Sequence, residues 1–281
     1  MPTSHRAGPT LAAPASPRRL PLPVLLGALL AAVPGSADEA TPGRYQGLID
    51  ELLATWPALD RPTPAEPGLA LTCLDTPGET RYVGARQEMV IQASLEAVAA
   101  LLDDVPSYGE LYPDCVEVSV VPGSRSGARF LTAWERRVPL FFVPNTRFTL
   151  MNEVDRSRPG RLVYRYWLQG KGRMKQSDGV VILEALASDQ VRFVEYDFFD
   201  AAWGPLTVGM VWTKSLRGIF MSDLSLKLKA ENPDWGYPRI HEEARRRWDL
   251  DAGLVDRCRG SSRPAALREP PPRVTRPGRF G

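Results

Sequence analysis

The spacing of apolar residues changes twice along this chain, from a helical period to an alternating one and back again. Residues 45–59 carry an apolar stripe at helical spacing, which predicts a short amphipathic helix. Residues 86–92 alternate between polar and apolar side chains and predict a strand. Ser94 precedes a second helical stripe and is a typical N-cap, and Pro106 follows where that helix should stop. A further helical turn is expected at residues 107–111.

From Cys115 onward the apolar residues alternate with polar ones, which is the pattern of strands with one buried face. Turn residues such as Pro122-Gly123 and Pro159-Gly160 separate the alternating segments, and the connections are short. These features predict an antiparallel meander. Its six strands are Cys115–Val121, Ala128–Val138, Thr146–Val154, Arg161–Leu168, Gly179–Ala185 and Val191–Phe199.

The last apolar pattern is again helical. Trp212, Leu216, Phe220, Leu224 and Leu228 recur every fourth residue, and Asn232-Pro233 follows them. This spacing predicts a long helix that ends at the Asn-Pro pair.

The order of one strand, two short helices, about six strands and one long helix resembles the START-like superfamily, which includes polyketide cyclases, coenzyme-Q-binding proteins and the birch-pollen allergen. The resemblance covers roughly residues 81–231 and rests on packing patterns. It implies an α+β helix-grip fold, in which a curved antiparallel sheet of about six to seven strands wraps around a long C-terminal helix. The segments that carry it are residues 89–104, 108–113, 179–184 and 203–206.

The chain begins with a segment that has the features of a secretory signal peptide. Arg18-Arg19 is followed by the largely apolar run Leu20–Val33, and small residues occupy positions 35–37. The run is too short for a membrane span, because about 20 apolar residues are needed to cross a bilayer. We therefore expect residues 1–37 to be removed by cleavage after Ala37 and the mature protein to be periplasmic or secreted.

The remaining chain divides into three parts by composition. Residues 38–80 are expected to be an N-terminal helical extension and linker, and residues 81–231 the START-like domain. Residues 232–281 form a charged tail rich in Pro and Arg, which we expect to be largely disordered. Because this tail is basic, transient contact with an anionic membrane surface is an expectation. The sequence does not indicate an oligomeric state.

Charge and composition exclude several classes of function. The formal net charge is +2, but the leader holds Arg residues and no acidic ones, so the mature chain is not basic overall and nucleic acid is not an expected partner. The histidines are His5 and His241, which disfavours a Ser-His-Asp hydrolase and a histidine-rich metal site. No metal and no cofactor are predicted. Cys73, Cys115 and Cys258 allow one disulfide and leave one thiol over, with the pairing open.

The resemblance implies a cavity for an apolar ligand between the sheet and the long helix. Mostly apolar walls with a few polar groups are typical of small-molecule sites. Arg136 is expected to orient a polar head group, while the alternative for each aromatic is an ordinary core position. The predicted ligand-binding residues are Trp134, Arg136, Tyr164, Tyr166 and Phe193 from the sheet and Met210, Trp212 and Leu216 from the helix.

Glu195 and Asp197 alternate in phase with Phe193 and Phe199 on one strand. If that face is the inner one, both carboxyl groups lie at the cavity, where desolvation raises their pKa values and suits them to acid/base work. The other interpretation, which we favour at this stage, places them in ion pairs on a wet outer face with Tyr196 inward. A shift of one residue in register separates the two.

The sequence therefore predicts a secreted START-like protein that binds, and possibly transports, a hydrophobic ligand such as a lipid, a quinone or a polyketide. One alternative is an enzyme of the polyketide cyclase or aromatase type, in which Glu195 or Tyr166 moves a proton. A further alternative is an interaction module whose cavity has filled with side chains.

Overall fold

Eight antiparallel strands form one sheet in the part of the chain that the structure describes. The structure is a computed structural model, and it describes residues 45–54, 70–74, 83–138, 144–170, 174–200 and 208–250. The order across the sheet is β1-β2-β8-β7-β6-β5-β4-β3. The strands are β1 Ala70–Leu74, β2 Val83–Ile91, β3 Cys115–Val120, β4 Arg129–Arg136, β5 Thr146–Asp155, β6 Arg161–Gln169, β7 Gln176–Ala187 and β8 Gln190–Asp200.

Five helices accompany the sheet in the described residues. They are α1 Gln46–Ala54, α2 Leu95–Asp103, α3 Tyr108–Leu111, α4 Val208–Glu231 and α5 Tyr237–Leu250, with a 3-10 turn at Val105–Ser107 before α3. Ser94 caps α2 as predicted, because its side chain accepts a hydrogen bond from the backbone N–H of Ala97 at 3.2 Å. None of the helices in these ranges combines the length and the apolar composition that crossing a membrane requires.

The concave face of the sheet holds the main core together with α2 and α4. Met89 of β2, Phe193 of β8, Val98 of α2 and Leu226 of α4 belong to one cluster of buried apolar side chains. Near its C-terminal end α4 packs on the sheet, where Leu226 joins this cluster and the helix contacts β2. The middle of α4, residues 214–223, borders the cavity described below.

The convex face is covered by α1. Ile49 and Leu52 are buried against Val180, Val194 and other apolar side chains of β6, β7 and β8. The ring of Tyr45 stacks on that of Phe198, with centroids 4.8 Å apart and planes 13° from parallel. The backbone N–H of Tyr45 donates a hydrogen bond to Asp178 Oδ2 at 2.7 Å. The central strands are therefore buried on both faces.

Part of the predicted disordered tail is helical. Residues 237–250 form α5, and Ile240 and Ala244 pack against Phe220 and Leu228 of α4. The arginines of this helix lie on its solvent side, since Arg245 and Arg246 are exposed. A narrow apolar stripe at helical spacing is thus enough to dock this helix, and the prediction of disorder for 232–281 is wrong over this segment.

The other predicted elements are found with small shifts of their ends. All six strands of the meander, the strand at 86–92, the three short helical segments and the long helix are present. The strand that was missed is β1, which pairs with β2 through Ala70↔Glu88 and lies in the segment expected to be a linker. The leader 1–37, the segment 203–206 and the end of the tail, 251–281, lie outside the described residues.

Candidate ligand-binding site

A cavity of about 240 Å³ lies between the concave face of strands β4 to β8 and the middle of α4, residues 214–223. Apart from Ile219, the residues of α4 that line it are small or polar, and Ser215, Gly218 and Ser222 are spaced at one helical turn. Small side chains on this stripe keep the helix backbone near the cavity without filling it. The cavity thus arises where the sheet curves away from a helix face that lacks large side chains.

Aromatic rings form one wall of the cavity. Trp134 of β4 and Phe148 of β5 are directly opposite each other in the strand register, and their rings stack with centroids 6.2 Å apart and planes 4° from parallel. Tyr108 and Tyr112, at the two ends of α3, pack against Trp134 at centroid distances of 5.6 Å and 6.5 Å. The indole N–H of Trp134 donates to Thr132 Oγ1 at 2.8 Å, so its polar atom is satisfied and its faces are apolar.

Three carboxyl groups and one guanidinium form the opposite, polar end. Glu195 and Asp197 project from β8 into the cavity, and Asp223 projects from α4. The hydroxyl of Tyr166 donates a hydrogen bond to Glu195 Oε1 at 3.0 Å. Arg136 of β4 also lines the cavity, with its Cζ 5.6 Å from the centroid of the Trp134 ring, so it lies between the aromatic wall and the acidic end.

Burial shifts the protonation of all three acids. Burial raises the pKa of Glu195, but hydrogen bonds from Asp223 and Tyr166 and the charge of Arg136 oppose the rise. Burial, followed by the charge of Glu195, raises the pKa of Asp197 to about 8 and that of Asp223 well above its usual range. The hydrogen bonds and the charge of Arg136 thus favour the ionised form at Glu195, whereas Asp197 is mostly protonated near neutral pH.

The tyrosines of the site remain hydrogen-bond donors at any physiological pH. Burial and the neighbouring carboxylates Asp197 and Glu195 raise the pKa of Tyr166 well above its usual range. Burial does the same for Tyr112. Neither phenol is a source of negative charge in the cavity, so Tyr166 serves to hold Glu195 by hydrogen bonding.

The position of Tyr166 depends on a glycine in the neighbouring strand. In the strand register Tyr166 of β6 lies opposite Gly179 of β7, which in turn lies opposite Asp197 of β8. A Cβ atom at Gly179 would stand 2.2 Å from both Cζ and the hydroxyl oxygen of Tyr166. The ring therefore crosses β7 over the bare glycine backbone, and only this close approach brings its hydroxyl to Glu195.

Several buried polar atoms at the acidic end have no hydrogen-bond partner among the described residues. They are Oδ1 of Asp197, Oδ2 of Asp223 and Nε of Arg136. Asp223 is only 5% exposed. Unpaired buried polar atoms are uncommon in folded proteins, and these three belong to residues that line the cavity.

An ion pair joins the two sides of the cavity near Leu102 and Tyr164. Nη2 of Arg156, in the β5–β6 turn, donates to both carboxylate oxygens of Asp103 at the end of α2, each at 2.7 Å. The hydroxyl of Tyr164 lies 3.3 Å from Asp103 Oδ1. This group of three residues ties the end of α2 to the sheet beside the cavity.

The predicted ligand-binding residues fall into three groups. Trp134, Arg136, Tyr164 and Tyr166 line the cavity. Phe193 and Leu216 are 1% and 0% exposed and lie in the packed core, so they support the fold and not the cavity wall. The side chains of Met210 and Trp212 lie outside what the structure describes. The ligand-binding role of these residues stays a prediction.

The favoured interpretation of Glu195 and Asp197 was wrong. Both face the cavity, while Tyr196 and Phe198 point to the convex face. The expectation failed because the convex face is not exposed to solvent. Helix α1 covers it, so the side chains on both faces of β8 are buried, and the convex face carries the aromatic residues Tyr196 and Phe198.

Sequence reasoning also missed Asp223, Phe148 and the two tyrosines of α3 as cavity residues. For Asp223 the available signal was the run of small and polar positions along α4, one helical turn apart, on a face that a core helix normally fills with apolar side chains. In the described residues no group of three or more His, Cys, Asp or Glu side chains is arranged to hold a metal ion.

Cys115 is buried and free, and burial raises the pKa of its thiol. The side chain of Cys73 and all of Cys258 lie outside the described residues. Because Cys115 is free, a disulfide within the chain would have to join Cys73 and Cys258.

Comparison with known proteins bears on the fold. Neither a protein-family model nor the sequence of a curated protein matches this chain. Among solved structures, human STARD10 is 9% identical with a TM-score of 0.54, and the match covers 78% of this chain and 89% of that one.

Two bacterial structures are similar at lower scores. The STAR-related lipid transfer protein of Xanthomonas axonopodis is 14% identical with a TM-score of 0.48, covering 65% of this chain and 97% of that one. The Zhui aromatase/cyclase of a Streptomyces species is 16% identical with a TM-score of 0.38, covering 61% and 98%. At such identities a structural similarity bears on the fold alone. The match to human STARD10, whose TM-score is 0.54, supports the fold. The chain has the START-like helix-grip fold of the α+β class.

Proposed function

We propose that this protein binds a small hydrophobic or amphiphilic ligand in the cavity between its sheet and α4, and carries it outside the cytoplasm. The observation that supports the proposal is the cavity itself, which has an aromatic wall on one side and a cluster of polar groups on the other. Apolar walls with a few converging polar groups are the usual composition of small-molecule sites. An open cavity also counts against an interaction module whose interior has filled with side chains.

The size of the cavity favours a ligand smaller than a two-chain lipid. Pockets for drug-sized ligands measure roughly 300–1,000 Å³, and the cavity here measures about 240 Å³. A ring system or a single short chain fits this space better than two long acyl chains. Within the predicted classes, the volume therefore supports a quinone-like or polyketide-like body.

Export is the second part of the proposal. It is supported by the leader, in which a basic pair precedes an apolar run and small residues at 35–37. Sequencing the N-terminus of protein recovered from the periplasm or medium tests it. A mature chain that begins at residue 38 is the expected result, and a chain retained in the cytoplasm with its leader intact would contradict this part.

Ligand binding is tested by native mass spectrometry of the full chain expressed in a secreting host, followed by organic extraction and identification of what was bound. One small molecule per chain is expected. Ser222→Leu, which places a larger side chain on the α4 stripe, is expected to abolish the bound mass. Ser119→Leu on the exposed surface of β3 is the matched control and should retain it. Protein that is empty, and that no apolar compound stabilises against heat, would refute the proposal.

A second candidate is an enzyme that moves a proton, as in polyketide cyclase or aromatase chemistry. The observation that favours it is the hydrogen bond between Tyr166 and Glu195 inside the cavity, next to acids with raised pKa values. Groups whose pKa values lie near the working pH are suited to general acid/base catalysis. Turnover of a poly-β-keto substrate that Glu195→Gln abolishes, while the bound mass persists, would establish this function over simple carriage.

A further inference from the structure

We infer that the ligand of this cavity bears a protonated amine, which lies between Asp197 and Asp223 while its apolar body lies against Trp134 and Phe148. The inference rests on the proposed function and specifies the chemical class of the ligand. It depends on three features of the cavity: the excess of acidic groups at one end, the unpaired oxygens of those groups, and the distance of the other cations from them.

The acidic end has more carboxyl groups than basic ones. Glu195, Asp197 and Asp223 share the single guanidinium of Arg136, whose charge acts on all three. A balanced site would need only one of these acids. The structure thus offers up to two further negative charges to whatever enters the cavity.

The other cations that border the cavity are directed elsewhere. Arg165 projects to the convex face, where its Nη1 donates to Asp50 Oδ1 at 2.7 Å. Arg137 is exposed at the end of β4. Lys214 precedes Asp223 on α4 by nine residues, which at 1.5 Å per residue is about 13 Å along the helix axis. None of these three groups is therefore placed to neutralise Asp223.

Two acidic oxygens at this end of the cavity are buried and have no hydrogen-bond partner among the described residues. Oδ1 of Asp197 and Oδ2 of Asp223 are both fully buried, although they belong to different secondary-structure elements. Asp197 is near enough to Asp223 for its charge to raise the pKa of Asp223, so a ligand at this end of the cavity meets both groups. An ammonium group offers three donors and no acceptor, whereas a hydroxyl offers one donor. Hydrogen bonds from a cation to a carboxylate are also roughly twice as strong as neutral ones.

Binding of a cation at this position would be linked to proton release. The pKa of Asp197 is raised to about 8, so this group is mostly protonated near neutral pH before the ligand binds. A nearby positive charge favours the ionised form, and the proton then leaves to the solvent. The titratable and charged groups that act on the pKa of Asp197 are Glu195 of β8, Arg136 of β4, Tyr166 of β6 and Asp178 of β7, and Asp197 in turn acts on Asp223 of α4.

Arg136 defines the competing class of ligand. Its Nε is buried in the same cavity without a partner among the described residues, and a carboxylate ligand would pair with it. Such a ligand would have to approach Glu195, and it would hold Asp197 and Asp223 in their protonated form, because a second anion opposes their ionisation. An anionic probe therefore belongs in the experiment.

The test compares three probes with the same apolar body: phenylbutylammonium, phenylbutanol and phenylbutyrate. Isothermal titration calorimetry of the full chain at pH near 7, in two buffers of different ionisation enthalpy, gives the affinity and the number of protons released. We expect the ammonium probe to bind about tenfold or more tightly than the alcohol, which matches the usual strength of a hydrogen bond to a charged group. Its binding should release close to one proton, and the carboxylate should bind most weakly.

Asp197→Asn and Asp223→Asn keep the shape of each side chain and remove its charge. Each is expected to reduce the preference for the ammonium probe about fivefold or more, while phenylbutanol continues to bind and so reports an intact cavity. Asp189→Asn, in the exposed β7–β8 turn, is the matched control and should keep the preference of the unaltered chain.

The outcomes distinguish the inference of an ammonium ligand from the more general proposal that the cavity binds a ligand. Alcohol binding as tight as ammonium binding, tighter carboxylate binding, or a preference that survives in both Asn variants would overturn the inference and leave the proposed function standing. Failure of all three probes, together with empty protein in native mass spectrometry, would overturn both.

Discussion

Replacing Gly179 with alanine is the most direct test of how the site is built. The added Cβ would stand 2.2 Å from Cζ and the hydroxyl oxygen of Tyr166 and 2.7 Å from Cε2. An ordinary contact needs a separation greater by about 1 Å, so either the ring leaves its place or the two strands separate. In either case the hydrogen bond from Tyr166 to Glu195 is lost.

The cost can be worked from these contacts. Overpacking of a filled interior costs about 1–3 kcal/mol. Loss of a hydrogen bond to a charged acceptor costs about 1.5–3 kcal/mol. Removing glycine from a strand returns about 0.5–1 kcal/mol. We expect Gly179→Ala to lower the free energy of unfolding by about 1.5–5.5 kcal/mol, or the melting temperature by roughly 3–22 °C for a chain of this size.

Urea unfolding followed by circular dichroism measures the change, and a double-mutant cycle assigns its cause. In a Tyr166→Ala background the clash is absent, so adding Gly179→Ala should cost nothing or stabilise slightly. Gly47→Ala in α1, where an added Cβ meets nothing within 4 Å, is the control and should stabilise the protein. A Gly179→Ala cost that is the same in both backgrounds would refute the argument that the glycine exists to admit this ring.

Three further predictions follow from buried groups. Because the pKa of Asp197 is raised to about 8 and that of Asp178 to about 6, the folded state holds protons that the unfolded chain loses, so stability should fall as pH rises between about 4 and 8. The melting temperature should therefore be lower at about pH 8 than at about pH 5, and the difference should shrink in Asp197→Asn; a rise would contradict the assignment. Ile49→Ala, at a side chain that is 0% exposed, should cost about 2–5 kcal/mol in urea unfolding, and a change below about 0.5 kcal/mol would mean that α1 does not hold the convex face. Cys115 should be alkylated by iodoacetamide only after unfolding, as peptide mass spectrometry can check, and fast labelling of the native chain would show that the thiol is not buried.

The elements of this fold could be predicted because each has its own local signal. The alternation from Cys115 onward and the four-residue spacing of Leu216, Phe220 and Leu224 depend only on neighbours in sequence. The edge strand β1 could not be found in the same way, since Ala70–Leu74 is short and its partner β2 supplies the reason for its conformation.

The orientation of β8 could not be predicted because both of its faces are buried. Glu195 and Asp197 alternate with Tyr196 and Phe198, and the usual rule assigns charged side chains to solvent and aromatic ones to the core. Here one face meets a helix and the other a cavity, so the rule gives the opposite result. The cavity residues of α4 were hidden for a related reason: Ser222 and Asp223 share a helix with a strong apolar stripe, and only the sheet's curvature leaves them a space to face.

The pairing of β2 with β8 also affects how the chain acquires its shape. In the strand register Val83 of β2 lies opposite Phe199 of β8, which is more than a hundred residues later in the chain. The convex surface on which α1 packs also includes side chains of β8. The pairing of β2 with β8 and the docking of α1 on β8 therefore form only after nearly the whole sheet has been synthesised, although β1 can pair with β2 before then. Contacts this distant in sequence are associated with slow folding. Closure of the sheet between β2 and β8 is therefore expected to be a late step, and any variant that slows it leaves the open edge of β2 available for pairing with another chain.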